Sequence, residues 1–384
     1  MDGFKSNRQA FAFPRKRQAH VRGFTLVELM IATVIGCIVV AAALTLYAHG
    51  RAVYRVNERI ARLQEKGRFA LSVIEPDIEL AGYYGFTNQP RVVRLVRGAA
   101  PAVTVAVASA LRQYAALAGD APPAPAAGLP ANAHVCGVNF AVDVMTPVQG
   151  SNGVFALGPG RATRCNAYQG RAQVGADTLT LRRVETQAND AEPGRIQMYA
   201  ARLLSQSAQL LFADGTAPGA VDTDHEIHDF VVRAYYVARD SVAQRNFPAL
   251  RVKSLTRSGA GVSFDEDEVM PGVEDLQVQF GIDTGDRDND GIPDGSVASD
   301  SDGASDASGQ ATRYVNPDFV DLPHVQVVAV RVWLRIRADE LEVGFDDSQT
   351  YRYADVMYTP AGAERRFRRV LMSRTVAVRN ARRT

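Results

Sequence analysis

The hydrophobic pattern of the chain changes its period along the sequence. From Phe24 to Ala48, "FTLVELMIATVIGCIVVAAALTLYA", 25 residues carry one charge, Glu28. At about 1.5 Å per residue a helix of this length crosses a hydrocarbon core of roughly 30 Å. Beyond it "RAVYRVNERIARLQEKGRFALSVIE" contains no proline, and Val53, Val56, Ile60, Leu63, Gly67, Ala70 and Ile74 recur at spacings of three and four. That is one face of a helix, with Arg51, Arg55, Glu58, Arg59, Arg62 and Glu65 mostly on the others. The pattern predicts a single helix from Phe24 to about Glu75, apolar all round in its first half and striped in its second. The stripe is short for a coiled-coil seam and contains Gly67, so packing against a sheet accounts for it better. "IELAGYYGF" then supplies Gly82 and Gly85 as terminator and turn.

Residues 98 to 134 are rich in Ala and Pro and low in charge, which reads as a long irregular excursion carrying one short helix. Strand-like runs follow: "GVNFAVDVM", "DTLTLRRV", "DFVVRAYYVA", "ALRVKSLTR", "VEDLQVQFGID", "VVAVRVWLRIR" and "VLMSRTVAVRN". Turn-rich segments separate them, so the body should be a mainly antiparallel sheet with the helix laid on it, an α+β architecture. In "VEDLQVQFGID" Leu276, Val278, Phe280 and Ile282 share a face; in "VRVWLRIR" Arg331, Arg335 and Arg337 alternate with apolar residues and read as a solvated outer face.

Charge adds an orientation. The first 23 residues hold Lys5, Arg8, Arg15, Lys16, Arg17 and Arg22 against Asp2, while the whole chain is only +1. The positive-inside rule leaves this leader cytoplasmic and sends everything after Gly50 across the membrane. The remaining, mildly acidic body has no footprint for general nucleic-acid binding; the basic tail "ERRFRRVLMSRTVAVRNARRT" reads as ordinary surface charge. Of the three cysteines, Cys37 is a small apolar side chain in the span, and Cys136 and Cys165 could form one disulfide outside the cytoplasm.

A secretory signal is cut after its apolar region, yet here the distinctive junction precedes it, at Gly23-Phe24, with Thr25 and Glu28 following. Basic leader, Gly, Phe, then "TLVELMIA" resembles the type IV prepilins. The resemblance implies that a prepilin peptidase cuts after Gly23 and N-methylates Phe24, and that Glu28 pairs with the amino terminus of a neighbouring subunit during assembly. An acid within the bilayer usually has a partner or a function; a Glu28 that stays protonated or snorkels to the headgroups needs neither. "RLQEKGRFALSVIEPDIELAGYYG", "GVEDLQVQFGIDTGD", "AVRVWLRIR" and "TVAVRN" are similar to the PilW-like minor pilins, with departures at Lys66 and Pro76; residues 86 to 230 resemble no family.

The most chemically suggestive stretch of the body is the acidic loop 283–306. Asp286, Asp288, Asp290, Gly291 and Asp294 give D-x-D-x-D-G-x-x-D, and three alternate carboxylates with the Ile292 carbonyl can converge on a hard cation. Calcium is therefore the one cofactor the spacing admits, although Val297 stands where an EF-hand wants Glu. The bland alternative is a solvated acidic tip. No nucleophile elbow, P-loop, zinc-protease or Rossmann motif is present, which points away from an enzyme. His225 and His228 in "HEIH" form the one close histidine pair, at the entry to a strand.

The sequence thus predicts a cytoplasmic leader (1–23), a transmembrane helix half (24–48), an amphipathic helix half (49–85) and a β-rich head (86–384). Its resemblance implies an inner-membrane minor pilin with a periplasmic head, later part of a surface pilus, that supports twitching, adhesion or DNA uptake. The implied partners are other minor and major pilins, a prepilin peptidase and the inner-membrane assembly platform. Two alternatives stay open: a type II secretion pseudopilin, and a membrane-tethered calcium-binding adhesin or hydrolase.

Overall fold

In a computed structural model, residues 23–87, 93–97, 103–106, 129–158, 160–202, 209–259, 261–283, 309–319, 322 and 326–381 are described. One helix, α1 (Leu26–Glu79), precedes a body of strands. The chain divides into Met1–Glu58 and Arg59–Thr384. In the first unit every residue from Phe24 to Ala48 is exposed, and this stretch is long and apolar enough to cross a membrane.

In the second unit the helix stripe meets the body. Leu63, Gly67, Ala70, Leu71, Ile74 and Ile78 are buried, while Gln64, Glu65, Arg68 and Ser72 are exposed. α1 runs one turn beyond the expected end at Glu75, and Pro76 does not stop it. The Pro76 ring is exposed, Leu80 N–H donates to the Pro76 carbonyl (3.1 Å), and Asp77 and Ile78 of that last turn are buried. Gly82 and Gly85 then take left-handed φ values of 79° and 77°. At Gly85 a Cβ would also lie 2.7 Å from the Ala200 side chain.

The larger sheet has nine strands: β1 (Val93–Arg97), β2 (Val103–Ala106), β3 (Val148–Ser151), β4 (Thr178–Val184), β5 (Gln197–Ala201), β6 (Gln209–Phe212), β7 (His225–Ala238), β8 (Ala249–Ser258) and β9 (Gly261–Pro271). Its path is β2-β1-β6-β5-β7-β4-β3, with β8 joined to β7 and β9 to β8; all pairings but β1 with β6 are antiparallel. A second sheet of four antiparallel strands has the order β11 (Arg313–Val315), β10 (Val273–Asp283), β12 (Gln326–Arg337), β15 (Arg369–Ala377). β13 (Tyr351–Tyr353) and β14 (Val356–Tyr358) form a separate hairpin. A long helix beside mostly antiparallel sheets is the expected α+β, pilin-like architecture.

Strand alternation divides the core. On β7, Tyr235 and Val237 join the helix residues, Leu181, Leu250, Leu276, Leu334 and Ile336 in one cluster. Phe230, Val232 and Ala234 face a second cluster with Tyr84, Cys136, Phe140, Val142 and Cys165. β7 is therefore buried on both faces. Helix and four-stranded sheet meet closely at Gly67, where a Cβ would lie 2.3 Å from Met372 Sδ and 3.0 Å from Ile336 Cδ1.

Two devices join the sheets. Gly272, at φ 92°, turns the chain from β9 into β10, and a Cβ there would come 3.0 Å from the Arg337 carbonyl oxygen. Asp177 spans the other side: its N–H donates to the Leu276 carbonyl (2.8 Å), and its carboxylate accepts from the N–H groups of Val278 (2.8 Å) and Gly153 (2.7 Å). Asp177, at the threshold of β4, thus satisfies part of the β10 edge that short β11 leaves open. Burial raises its pKa to about 7 against those amide donors.

Two sequence expectations fail here. "GVNFAVDVM" is a set of buried 3-10 turns instead of a strand, with Asn139 at φ 57°. The fully buried Arg182 collects the carbonyls of Phe140 (2.9 Å) and Thr146 (2.7 Å), which a strand would have turned to a neighbour. The excursion 98–134 contains strand β2, paired with β1.

Gly67→Leu should lower the melting temperature of the detergent-solubilised chain, at a cost of about 1–3 kcal/mol from overpacking. Asp177 gives a pH signature. Its folded pKa lies above the unfolded value, so its protonated form favours folding below about pH 4, and that contribution is lost as pH rises to about 7. Stability should fall by up to about 1.4 kcal/mol per unit in that window, and Asp177→Asn should flatten the slope in denaturant titrations at stepped pH.

Candidate functional site

The N-terminal site is built by the first turn of α1. Gly23 and Phe24 are exposed, Phe24 at 87%. Thr25 N–H and Oγ1–H both donate to Glu28 Oε2 (2.9 and 3.0 Å), and Glu28 N–H donates to Thr25 Oγ1 (3.2 Å). This reciprocal T-x-x-E arrangement is a capping box. Sequence reasoning missed it although both residues were in view. It gives Glu28 a partner within its own chain and places its negative charge at the positive end of the helix dipole.

A second constellation fixes the other end of the helix. Asp77 is 1% exposed. Its carboxylate accepts from Arg183 Nε of β4 (3.0 Å), from an Arg233 guanidinium nitrogen of β7 (3.0 and 3.2 Å) and from the Tyr235 hydroxyl (2.6 Å). Burial pulls the Arg233 pKa down, but Asp77 and the Tyr235 hydroxyl together raise it; burial and Asp77 both push the Tyr235 hydroxyl up. The sequence signal, an acid one residue after a helical proline, resembled a helix stop.

The outer face of the four-stranded sheet carries a third. Arg335 and Arg337 are buried rather than solvated, at 6% and 8% exposure, because residues 339–367 return over that face. Arg369 is bidentate to Glu274 (2.8 and 3.0 Å), and Arg335 reaches the same carboxylate (3.1 Å). The Tyr353 hydroxyl donates to Asp275 (2.5 Å), and Arg337 meets Glu364 (3.1 Å). Arg331 stays half-exposed, stacked 3.9 Å from the Tyr314 ring centroid.

Cys136 and Cys165 form a disulfide with Cα atoms 5.2 Å apart. His225 and His228 lie on strand β7 three residues apart, which puts them on opposite faces. His225 pairs with Asp222 (2.8 Å) and stacks on Tyr199, whereas His228 is buried against the Gln187 carbonyl (3.2 Å). No group of three metal-ligating side chains occurs among the described residues. The calcium assignment to Asp286, Asp288, Asp290, Ile292 and Asp294 falls outside the described residues.

Residues 234–380 match the family described as Type IV Pilus-assembly protein W, and residues 18–44 match the prokaryotic N-terminal methylation motif. Together the two matches support a PilW-like type IV pilin. The first match takes in the C-terminal end of β7 and every strand from β8 to β15, with Glu274, Arg335 and Arg369. The second takes in Gly23, Phe24, Thr25 and Glu28. No curated protein and no solved structure matches this chain. Its methylation motif and apolar helix fit an inner-membrane anchored pilin.

Asp77→Ala should be the most damaging single change at the helix end. It leaves two arginines without their buried carboxylate, a loss of about 3–5 kcal/mol, while Glu75→Ala, which breaks a half-exposed pair with Arg374 (2.9 Å), should cost at most about 1 kcal/mol. Urea unfolding of the two variants side by side measures the difference.

Proposed function

We propose that the chain is a minor pilin that takes part in priming or capping type IV pilus assembly and so supports twitching, adhesion or DNA uptake. A prepilin peptidase removes the leader after Gly23 and methylates Phe24. The mature helix then enters the growing filament from the inner-membrane assembly platform, and the head, carried on the periplasmic side, reaches the cell surface among other minor and major pilins. The observation that carries this reading is the coincidence of the two family matches at opposite ends of one chain. The match over the later body favours a pilus over a secretion pseudopilus.

In this reading Glu28 acts twice. In the single subunit its carboxylate closes the capping box with Thr25. In the filament it would meet the amine that cleavage creates on a neighbouring chain, a charge-assisted contact stronger than the one it replaces. The chemistry is non-covalent throughout, so no catalytic group is required of the head.

Glu28→Gln separates the two roles, because Gln serves in a capping box but carries no charge. The expected outcome is normal leader removal with incorporation into sheared pili reduced as strongly as in Glu28→Ala. Incorporation of Glu28→Gln at the wild-type level would leave Glu28 a helix cap and overturn its assembly role.

A further inference from the structure

The four-stranded sheet ends on β15, and the middle of that edge is open. Val378 N–H donates to Val328 O (2.9 Å) and Ala338 N–H to Arg368 O (2.8 Å), so even-numbered residues turn their backbone groups toward β12. Leu371, Ser373 and Thr375 therefore turn theirs outward. Farther along, the outward N–H of Arg379 is taken by the Glu79 carbonyl at the end of α1 (3.1 Å). Ser373, Arg374 and Thr375 are all exposed, and among the described residues no backbone partner meets the outward groups of Leu371, Ser373 or Thr375.

Edges of this kind are normally blunted by a bulge, a proline, a free lysine or a covering segment. β15 pairs with β12 from Arg369 to Ala377 without a register shift, and its central side chains are the small Ser373 and Thr375. Arg374 is drawn to Glu75 of the helix. The other long edge in the body is β9, which pairs only with β8. It carries the run Asp265, Glu266, Asp267, Glu268. Glu266 and Glu268 turn inward to Arg251 and Lys253, and Asp265 and Asp267 are exposed.

We propose that the open edge of β15 receives strand β9 of a second copy of the chain. Strand addition satisfies the alternating outward N–H and C=O groups, which no irregular partner does. Charge selects the strand: Arg331, which donates to the Thr375 hydroxyl (3.1 Å), lies along the β15 edge with Arg374 and Arg379, which also pair with Glu75 (2.9 Å) and Glu79 (2.8 Å) of α1, and the acids sit on β9. Pairing β15 with β15, or β9 with β9, would instead set like charges across from one another. The contact is heterologous, so it adds copies in one direction rather than closing a two-fold dimer.

The test uses the full chain in detergent micelles with Cys37→Ala as background, and a short bis-maleimide that reacts only with free thiols. A chain carrying Thr375→Cys, mixed with one carrying Asp267→Cys, should give a cross-linked dimer that neither gives alone. Ser373→Pro removes an outward N–H that β12 does not use, a substitution edge strands tolerate. It should abolish the dimer with the circular dichroism of the monomer unchanged. Asp265→Lys on the β9 partner should give the same loss without touching β15. Absence of the mixed dimer overturns the proposal, as does equal cross-linking of Thr375→Cys with itself. Undiminished cross-linking after Ser373→Pro in a chain of native dichroism, or after Asp265→Lys, also overturns it.

Discussion

The head depends on one buried carboxylate. Asp77 stands in the last turn of α1, where the helix dipole disfavours a negative charge, and it is removed from water. What makes this tenable is the fork of Arg183 and Arg233 with the Tyr235 hydroxyl, all from the two central strands β4 and β7. Nothing apolar could fix the helix end with comparable geometric selectivity, because the four groups fit in one arrangement only. With its end pinned, the helix has no freedom to slide, and Gly67, more than two turns earlier, is set over Met372 and Ile336.

From that anchor the two sheets follow. The helix stripe contributes to one core shared by the nine-stranded and the four-stranded sheet. Gly272 and Asp177 hold the sheets together at the chain level, one by a backbone turn that only glycine makes without strain, the other by lending a carboxylate to an unpaired strand edge. The outer face of the smaller sheet is closed by Glu274, Arg335 and Arg369. Ion pairs of this kind add little net stability but specify one arrangement strongly, since breaking one strands a buried charge.

How much of this was legible in the sequence depended on whether period alone decided the matter. The helix stripe, the two glycines after it and the strands β4, β7, β8, β10, β12 and β15 were readable because their alternation repeats over many residues. "GVNFAVDVM" was not, because an apolar run without turn signals fits a buried strand and a buried set of turns equally well, and the deciding residue, Arg182, lies about forty positions away. Arg335 and Arg337 alternate like surface residues; what covers them comes from a later segment whose path no local pattern reveals. Asp77 was hidden behind Pro76, and the Thr25–Glu28 cap behind the more conspicuous question of why an acid enters an apolar helix.

The two ends of the chain therefore carry different kinds of information. The first residues of α1 form a surface that is apolar all round with one satisfied carboxylate, suited to lipid or to other helices; the body is organised by buried charge. What links them is the claim that the chain matures as a pilin. The most direct measurement is the intact mass and N-terminal sequence of the full chain produced together with a prepilin peptidase. The account predicts loss of residues 1–23 and one added methyl group on an N-terminal Phe24; a chain that keeps its leader in the presence of an active peptidase would contradict it.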